Sequence, residues 1–248
     1  MNILVTGGGT VAPIDDVRQI ANASSGRFSS AITEAALRRG GRVWHLHTPG
    51  ALLPFHKDFR LDPDADFPAE VDRLRRVRAE WGDVRGRLTV IPLRAGTVPE
   101  YAETLRALLA AQPIDAAFLA MAVSDYAPVP EPGKLPSDAE ELVIRCRRLP
   151  KVIASVRDWA PEVYLVGFKL TSGATADDLI ARARRSGEAT RADLTVANDL
   201  QPYREGRHTI HLVRPGRPVE TLGPGGKLAG GLVDRVCEWA GERRGGVA

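Results

Sequence analysis

Residues 1–28 read MNILVTGGGTVAPIDDVRQIANASSGRF. Asn2 to Thr6 is a short apolar run of the kind that forms a buried parallel strand, and Gly7, Gly8 and Gly9 follow it directly. A strand that empties into glycines lets peptide N–H groups approach a phosphate or carboxylate, so this stretch points to an α/β fold with an anionic ligand. The residues after the glycines narrow the reading. Pro13-Ile14-Asp15 forces a turn before any helix begins, and Arg18, Asn22, Ser24, Ser25 and Gly26 then precede an amphipathic run from Phe28 to Arg39. Helix N–H groups and hydroxyls can donate to an anion, Arg18 can neutralise it, and Asn22 can offer its amide to a reacting carbonyl. Ser24 or Ser25 also has the chemistry of an N-cap, which employs different residues and leaves both readings open.

Two familiar nucleotide motifs fail here. A short-chain reductase needs Tyr-x-x-x-Lys, yet none of Tyr101, Tyr126, Tyr164 and Tyr203 has a lysine at that spacing, and RVWHLHTPG (42–50) ends without the acid that binds a ribose. A P-loop needs Gly-Lys-Ser/Thr after its glycines, and GGGTVAPID has none. An NAD(P)-dependent reductase stays as a distant alternative.

Outward from the opening, apolar runs alternate with helical spacing along most of the 248 residues, which implies a three-layer, Rossmann-like α/β fold around a largely parallel sheet. Strands are expected at 2–6, 42–47, 88–93, 115–121, 163–169 and 193–197, and helices at 28–39, 99–111, 151–159 and 175–185. Gly40 and Gly41 should stop the first helix. Residues 54–86 are rich in Asp and Arg; Val71, Leu74 and Val77 at helical spacing favour a solvated amphipathic helix over a nucleic-acid patch. YAPVPEPGKLPSDAEE (126–141) carries too many prolines for a helix or central strand and reads as a surface flap leading into a strand at 142–146. A short antiparallel pair, 208–213 with 218–222, and a closing helix at 228–239 complete a single domain spanning 1–248.

Composition restricts the function. The net charge of +3 is spread among acids, so by charge a small anionic ligand fits as well as nucleic acid would; small-molecule substrates and no nucleic acid are the expected partners. No apolar run reaches the roughly 18 residues of a membrane span and no secretory leader precedes the first strand, so a cytoplasmic enzyme is expected. Cys146 and Cys237 lie far apart with no CxxC neighbour and are read as buried small hydrophobes. His45 and His47 share one face of a strand and are read as packing residues, and Trp159 and Trp239 as core or interface. No Gly-x-Ser-x-Gly elbow is present.

The ordered set GGT..PID.VR.I.N.SSG, MAVSDYAP, GKLPS, LPKVIASVRDW, VGFKLTSG and ADLTVANDL, running from Asn2 to about Leu200, resembles the phosphopantothenate–cysteine ligase family, in its standalone branch. The resemblance implies a two-step ligation in coenzyme A biosynthesis. The carboxylate of 4'-phosphopantothenate attacks the α-phosphate of CTP or ATP, with Mg2+ as cofactor, and the amine of cysteine then displaces the nucleotide. It implies Asn22 and Lys134 as catalytic residues, and Gly8, Gly9, Arg18, Ser24, Ser25 and Gly26 on the substrate side. For the nucleotide it implies Ala120, Met121, Ala122, Asp125, Lys134, Pro150, Lys151, Val152, Ile153, Phe168, Lys169 and Arg185. It leaves the metal ligands unassigned, and it implies a homodimer in which the flap reaches across to the second copy. Two departures stand out. Leu135, Pro136 and Ser137 follow Lys134 where many relatives have further lysines, and of two lysines on the helix before ADLTVANDL, Arg185 replaces the first while the second falls near Ala189 and Thr190. Arg191 is the expected compensation, and a nucleotide-binding homologue without ligase activity is the alternative.

Overall fold

The computed structural model describes residues 1–138, 140–201, 208–223 and 228–245, with side chains as far as Arg243. Ala139 in the flap and Tyr203 lie outside these residues. In chain order the strands are β1 (Asn2–Gly7), β2 (Val11–Pro13), β3 (Gln19–Ala21), β4 (Arg42–His47), β5 (Leu88–Pro92) and β6 (Ala116–Leu119), then β7 (Tyr126–Pro128), β8 (Cys146–Arg148), β9 (Tyr164–Thr171), β10 (Leu194–Asp199), β11 (Ile210–Val213) and β12 (Glu220–Leu222). The helices are α1 (Arg27–Arg38), α2 (Phe67–Val84), α3 (Val98–Ala111), α4 (Val152–Trp159), α5 (Ala176–Thr190) and α6 (Leu228–Gly245).

Eight strands form one sheet in the order β12-β11-β10-β9-β6-β1-β4-β5, all running one way except β11, which pairs antiparallel with both β10 and β12. From β1 the chain builds outward through β4 and β5, then crosses back to β6 and builds the other way through β9 and β10. The order therefore reverses between β1 and β6, and ligands of open α/β sheets bind at the carboxyl ends of strands at such a reversal. Alternation along the strands sends Ile3, Val5, Val43, Phe118 and Val166 into one core with α1 and α6, and Leu4, Leu46, Ala117, Leu119 and Leu165 into a second with α3 and α4. Leu179 and Ala183 of α5 pack on Ala197 and Val213 on the second face. Val71, Leu74 and Val77 lie half-buried along α2, as their spacing predicts.

Four local readings change. The N-cap of α1 is Gly26, at φ 72°, with no side-chain cap from Ser24 or Ser25. Glycine suits this position twice over: the backbone is left-handed, and a side chain at 26 would press on Ala51. The expected Pro13 turn is present, but as the tip of a hairpin in which β2 pairs antiparallel with β3. The strand expected at 142–146 begins at Cys146 instead and pairs with Tyr126–Pro128 at the base of the flap. Cys146 is consequently exposed and not a buried hydrophobe, because a two-stranded ribbon has no second layer to cover it, while Cys237 is half-buried. His45 and His47 are buried along β4 as packing residues: Thr33 Oγ1 lies 2.8 Å from His45 Nδ1 and the Thr48 carbonyl 3.0 Å from His47 Nδ1.

Candidate active site

The site is assembled where the exits of β1 and β6 meet. The Ala122 amide donates to the Gly8 carbonyl at 2.9 Å, and the Thr10 amide donates to the Ala122 carbonyl at 2.9 Å, so the two exits continue side by side past the sheet. The β2–β3 hairpin then folds back over them. Gly9 has to be glycine: a Cβ there would lie 2.1 Å from the backbone oxygen of Asn22, and backbone cannot yield as a flexible side chain can. This close approach carries Asn22 to the β6 exit, where its Nδ2 donates to the Ala122 carbonyl at 3.0 Å and its Oδ1 accepts from Ser124 Oγ at 3.2 Å. Ser24 follows half-buried, its amide bonded to the Asn22 carbonyl at 2.9 Å, and the exposed Ser25 accepts from the Leu52 amide through its carbonyl.

A cavity of about 620 Å³ opens beside this junction, between β6, β9, α4 and α5. Of the residues assigned to a nucleotide from sequence, Met121, Asp125, Pro150, Lys151, Val152, Ile153, Phe168, Lys169 and Arg185 border it. Ala120 and Ala122 belong to the β6 exit without bordering the cavity, and Lys134 stands exposed on the flap, also outside it. Phe168 turns its ring edge-on to Phe28, 6.2 Å away and at 83°, toward the α1 face of the sheet. Sequence reasoning missed Ser124, Arg148, Arg182 and Ser186, which border the cavity as well. Arg182 and Ser186 were within reach of pattern reading, since Arg182 sits three residues before Arg185 and Ser186 four after Arg182, the spacings that bring side chains together on a helix. Ala189 and Thr190, where a second lysine was expected, lie on that face too.

The charge of the cavity is strongly positive. Arg148, Lys151, Lys169, Arg182 and Arg185 border it against one acid, Asp125, which is paired to Lys151 at 2.6 Å. Arg191 does not contribute. It ends α5 in a left-handed conformation and bonds Asp158 Oδ1 at 2.6 Å and the Ala154 carbonyl at 3.1 Å, away from the cavity. Arg182 is the second basic residue of α5 that borders the cavity. Below, Tyr101 is fully buried, its hydroxyl 3.4 Å from Thr6 Oγ1, and burial pushes its pKa up to about 12, so it stays neutral. At the β10 exit, burial alone would raise the Asp199 carboxyl, but the Thr171 hydroxyl and the amides of Gln201, Ala174 and Gly173 outweigh it and bring it down to about 2. Asp199 thereby braces the loop between β9 and α5 that carries the arginine helix.

The flap leaves β7, turns at Gly133 and docks on the hairpin tip. The Arg18 Nη2 donates to the Leu135 carbonyl at 2.8 Å, so this cation is committed to the flap. Among the described residues, no group of three His, Cys, Asp or Glu side chains is arranged to hold a metal ion, and no helix is long and apolar enough to cross a membrane.

This arrangement has known relatives. The C-terminal domain of the DNA/pantothenate metabolism flavoproteins matches residues 1–60 and 93–231, leaving out the segment that holds α2 and β5. The phosphopantothenate–cysteine ligase of Mus musculus is 30% identical over 260 residues, covering 93% of this chain and 81% of its own. The coenzyme A biosynthesis bifunctional protein of Thermococcus kodakarensis is 29% identical over 211 residues; the match takes in 85% of this chain but 44% of that protein, so the chain spans less than half of this relative. The crystal structure of the DNA/pantothenate metabolism flavoprotein from Streptococcus pneumoniae superimposes with a TM-score of 0.76 at 26% identity, over 96% of this chain and 99% of that one. The chain belongs to the phosphopantothenate–cysteine ligase family, matched here as the C-terminal domain of the DNA/pantothenate metabolism flavoproteins.

Proposed function

We propose that the chain is a ligase of coenzyme A biosynthesis that joins 4'-phosphopantothenate to L-cysteine, activating the acid with CTP or ATP. The observation that carries this reading is the cationic cavity at the strand reversal, bordered by Arg148, Lys151, Lys169, Arg182 and Arg185 and adjoining the Asn22 junction. In the first step a carboxylate oxygen attacks the α-phosphorus, the bond to the bridging oxygen breaks and pyrophosphate leaves, giving an acyl-nucleotidylate. In the second the cysteine amine attacks the acyl carbon, an amide forms, and the nucleoside monophosphate departs with the electron pair of the acyl C–O bond while the amine gives up a proton. Two anions meet in the first step. At about 4 Å and an effective dielectric near 20, one well-placed cation contributes up to roughly 4 kcal/mol of Coulomb energy before desolvation is subtracted, enough to make the arginines of α5 and the lysine of the flap decisive.

In this reading the cavity holds the triphosphate, and Gly8, Gly9, Ser24, Ser25 and Gly26 face the phosphopantothenate. Asn22 presents its amide to the acyl oxygen of the intermediate. Mg2+ enters as part of the triphosphate substrate, whose oxygens ligate it. Lys134 does not border its own cavity, which supports a homodimer in which the flap of one protomer serves its partner. The setting is the cytoplasm. The test is pyrophosphate release by the purified chain with phosphopantothenate and CTP or ATP, followed by cysteine-dependent amide formation. Nucleotide binding with no pyrophosphate from either triphosphate would replace the ligase with a binding homologue.

A further inference from the structure

The proposed chemistry uses Lys134 but leaves unexplained how a lysine on a proline-rich, solvent-exposed loop is held to one geometry. The answer lies in its two neighbours. The Gly133 amide donates to Asp16 Oδ2 at 3.1 Å, and the Gly133 carbonyl accepts from the Asp16 amide at 3.0 Å. On the other side the Leu135 amide donates to Asp15 Oδ2 at 3.1 Å, and the Leu135 carbonyl accepts from Arg18 Nη2 at 2.8 Å. Both peptide groups of both flanking residues are thus bonded to the tip of the β2–β3 hairpin. The Glu131 amide adds a bond to the Ile14 carbonyl at 3.0 Å.

Asp15 is the centre of this clamp. Its side chain is fully buried, and its Oδ1 accepts from the amides of Val17 at 2.9 Å and Arg18 at 2.7 Å, which closes the hairpin tip. Its Oδ2 faces the Leu135 amide and the Arg18 Nε, the latter at 3.6 Å. A single carboxylate therefore shapes the turn, orients Arg18 and holds the flap. Burial alone would raise this carboxyl, and the three amides with the Arg18 guanidinium outweigh that and hold it below the ordinary range.

We infer that Asp15 is a positioning residue for the ligation, with Asp16 and Arg18 as its auxiliaries, and that the hairpin tip acts as a jig that sets the height and direction of Lys134. This inference rests on the ligase reading. It also changes the part played by the Pro-Ile-Asp turn, which acts on the flap and not directly on a ligand.

Asp15→Asn separates these roles, since its oxygen still accepts from Val17 and Arg18 while its NH2 group meets the Leu135 N–H donor to donor. The expected result is a ten- to hundredfold loss in kcat for pyrophosphate release, with the equilibrium Kd for the triphosphate within about twofold, because misplacement by an ångström costs rates of that order. In a Lys134→Arg background, where the geometry at that position is already altered, the same substitution should cost less than about threefold. Amide hydrogen exchange at Leu135 should speed up in Asp15→Asn. An equal loss in both backgrounds, or unchanged exchange at Leu135, overturns the inference. Asp16→Ala, at an exposed position, removes the side-chain half of the Gly133 clamp, leaving the bond from its own amide, without touching the interior, and must show a smaller loss of the same kind if Asp15→Asn does not fold; full activity there overturns the jig. Failure of the ligase reading is seen separately, as absence of pyrophosphate release by the unaltered chain.

Discussion

Asn22 shows how narrowly one side chain is defined here. Its amide gives a proton to the Ala122 carbonyl and takes one from the Ser124 hydroxyl, so an isosteric carboxylate would set acceptor against acceptor at 3.0 Å. Asn22→Asp is expected to release pyrophosphate in a single burst and then stall, with amide formation down at least roughly a hundredfold; rapid-quench analysis of pyrophosphate and amide product checks this. A second residue-scale expectation concerns His45. Burial first, and then the neighbouring His47, lower its pKa from 6.5 to about 3, so the folded chain keeps it neutral while the unfolded chain protonates it. The stability it contributes is present above pH 6.5 and is lost progressively as pH falls from 6.5 toward 3. Thermal unfolding across that window should show Tm falling, and His45→Gln should flatten the slope.

At the scale of elements, α5 is where charge is delivered to the site. Its Thr175 cap accepts from the Asp178 amide at 3.2 Å, and Asp177 and Asp178 occupy the first turn, so the helix start is well defined. The helix runs on to Thr190, five residues beyond the end that apolar spacing marked, because Arg191 can close it in a left-handed turn. That extra length puts Ser186, Ala189 and Thr190 beside the cavity. Arg182→Ala and Arg185→Ala are each expected to weaken triphosphate binding about tenfold, more at low salt than at high, as loss of a partly solvated charge-assisted hydrogen bond should. Arg191→Ala should leave affinity unchanged, and calorimetric titrations at two ionic strengths distinguish the three. The same helix shows why sequence reading stopped short: spacing marked an amphipathic helix and the family resemblance its basic residue Arg185, but which of its faces meets β9 and α4 is a property of packing. The β2–β3 hairpin was harder still. Each strand has three residues, Gln19 to Ala21 are exposed, and no alternation pattern can emerge over so short a run.

For the whole molecule, the decisive feature is that β1 and β6 are adjacent although more than a hundred residues separate them. Their junction brings the opening motif against the AVSDY element, and α4, β9 and α5 then complete the cavity on one side while the flap docks on the other. With Lys134 outside the cavity of its own chain, the proposed dimer predicts complementation. Lys134→Gln and Asn22→Asp chains, each inactive alone, should regain about a quarter of normal turnover on co-refolding, since half the random dimers are mixed and each holds one intact site. No recovery would place the lysine in service of its own chain. The α/β class, the order of the central-sheet strands and their main helices, and the glycine turn ahead of Asn22 were legible in the sequence alone. Those rest on local apolar periodicity and on residue types whose backbone demands are strong. That Gly26 caps α1, that Arg182 and not Arg191 borders the cavity, and that Asp15 grips the flap became visible only in the folded chain. Each of these depends on which distant segment lies opposite, and burial, hydrogen-bond partners and charge are set by that neighbour.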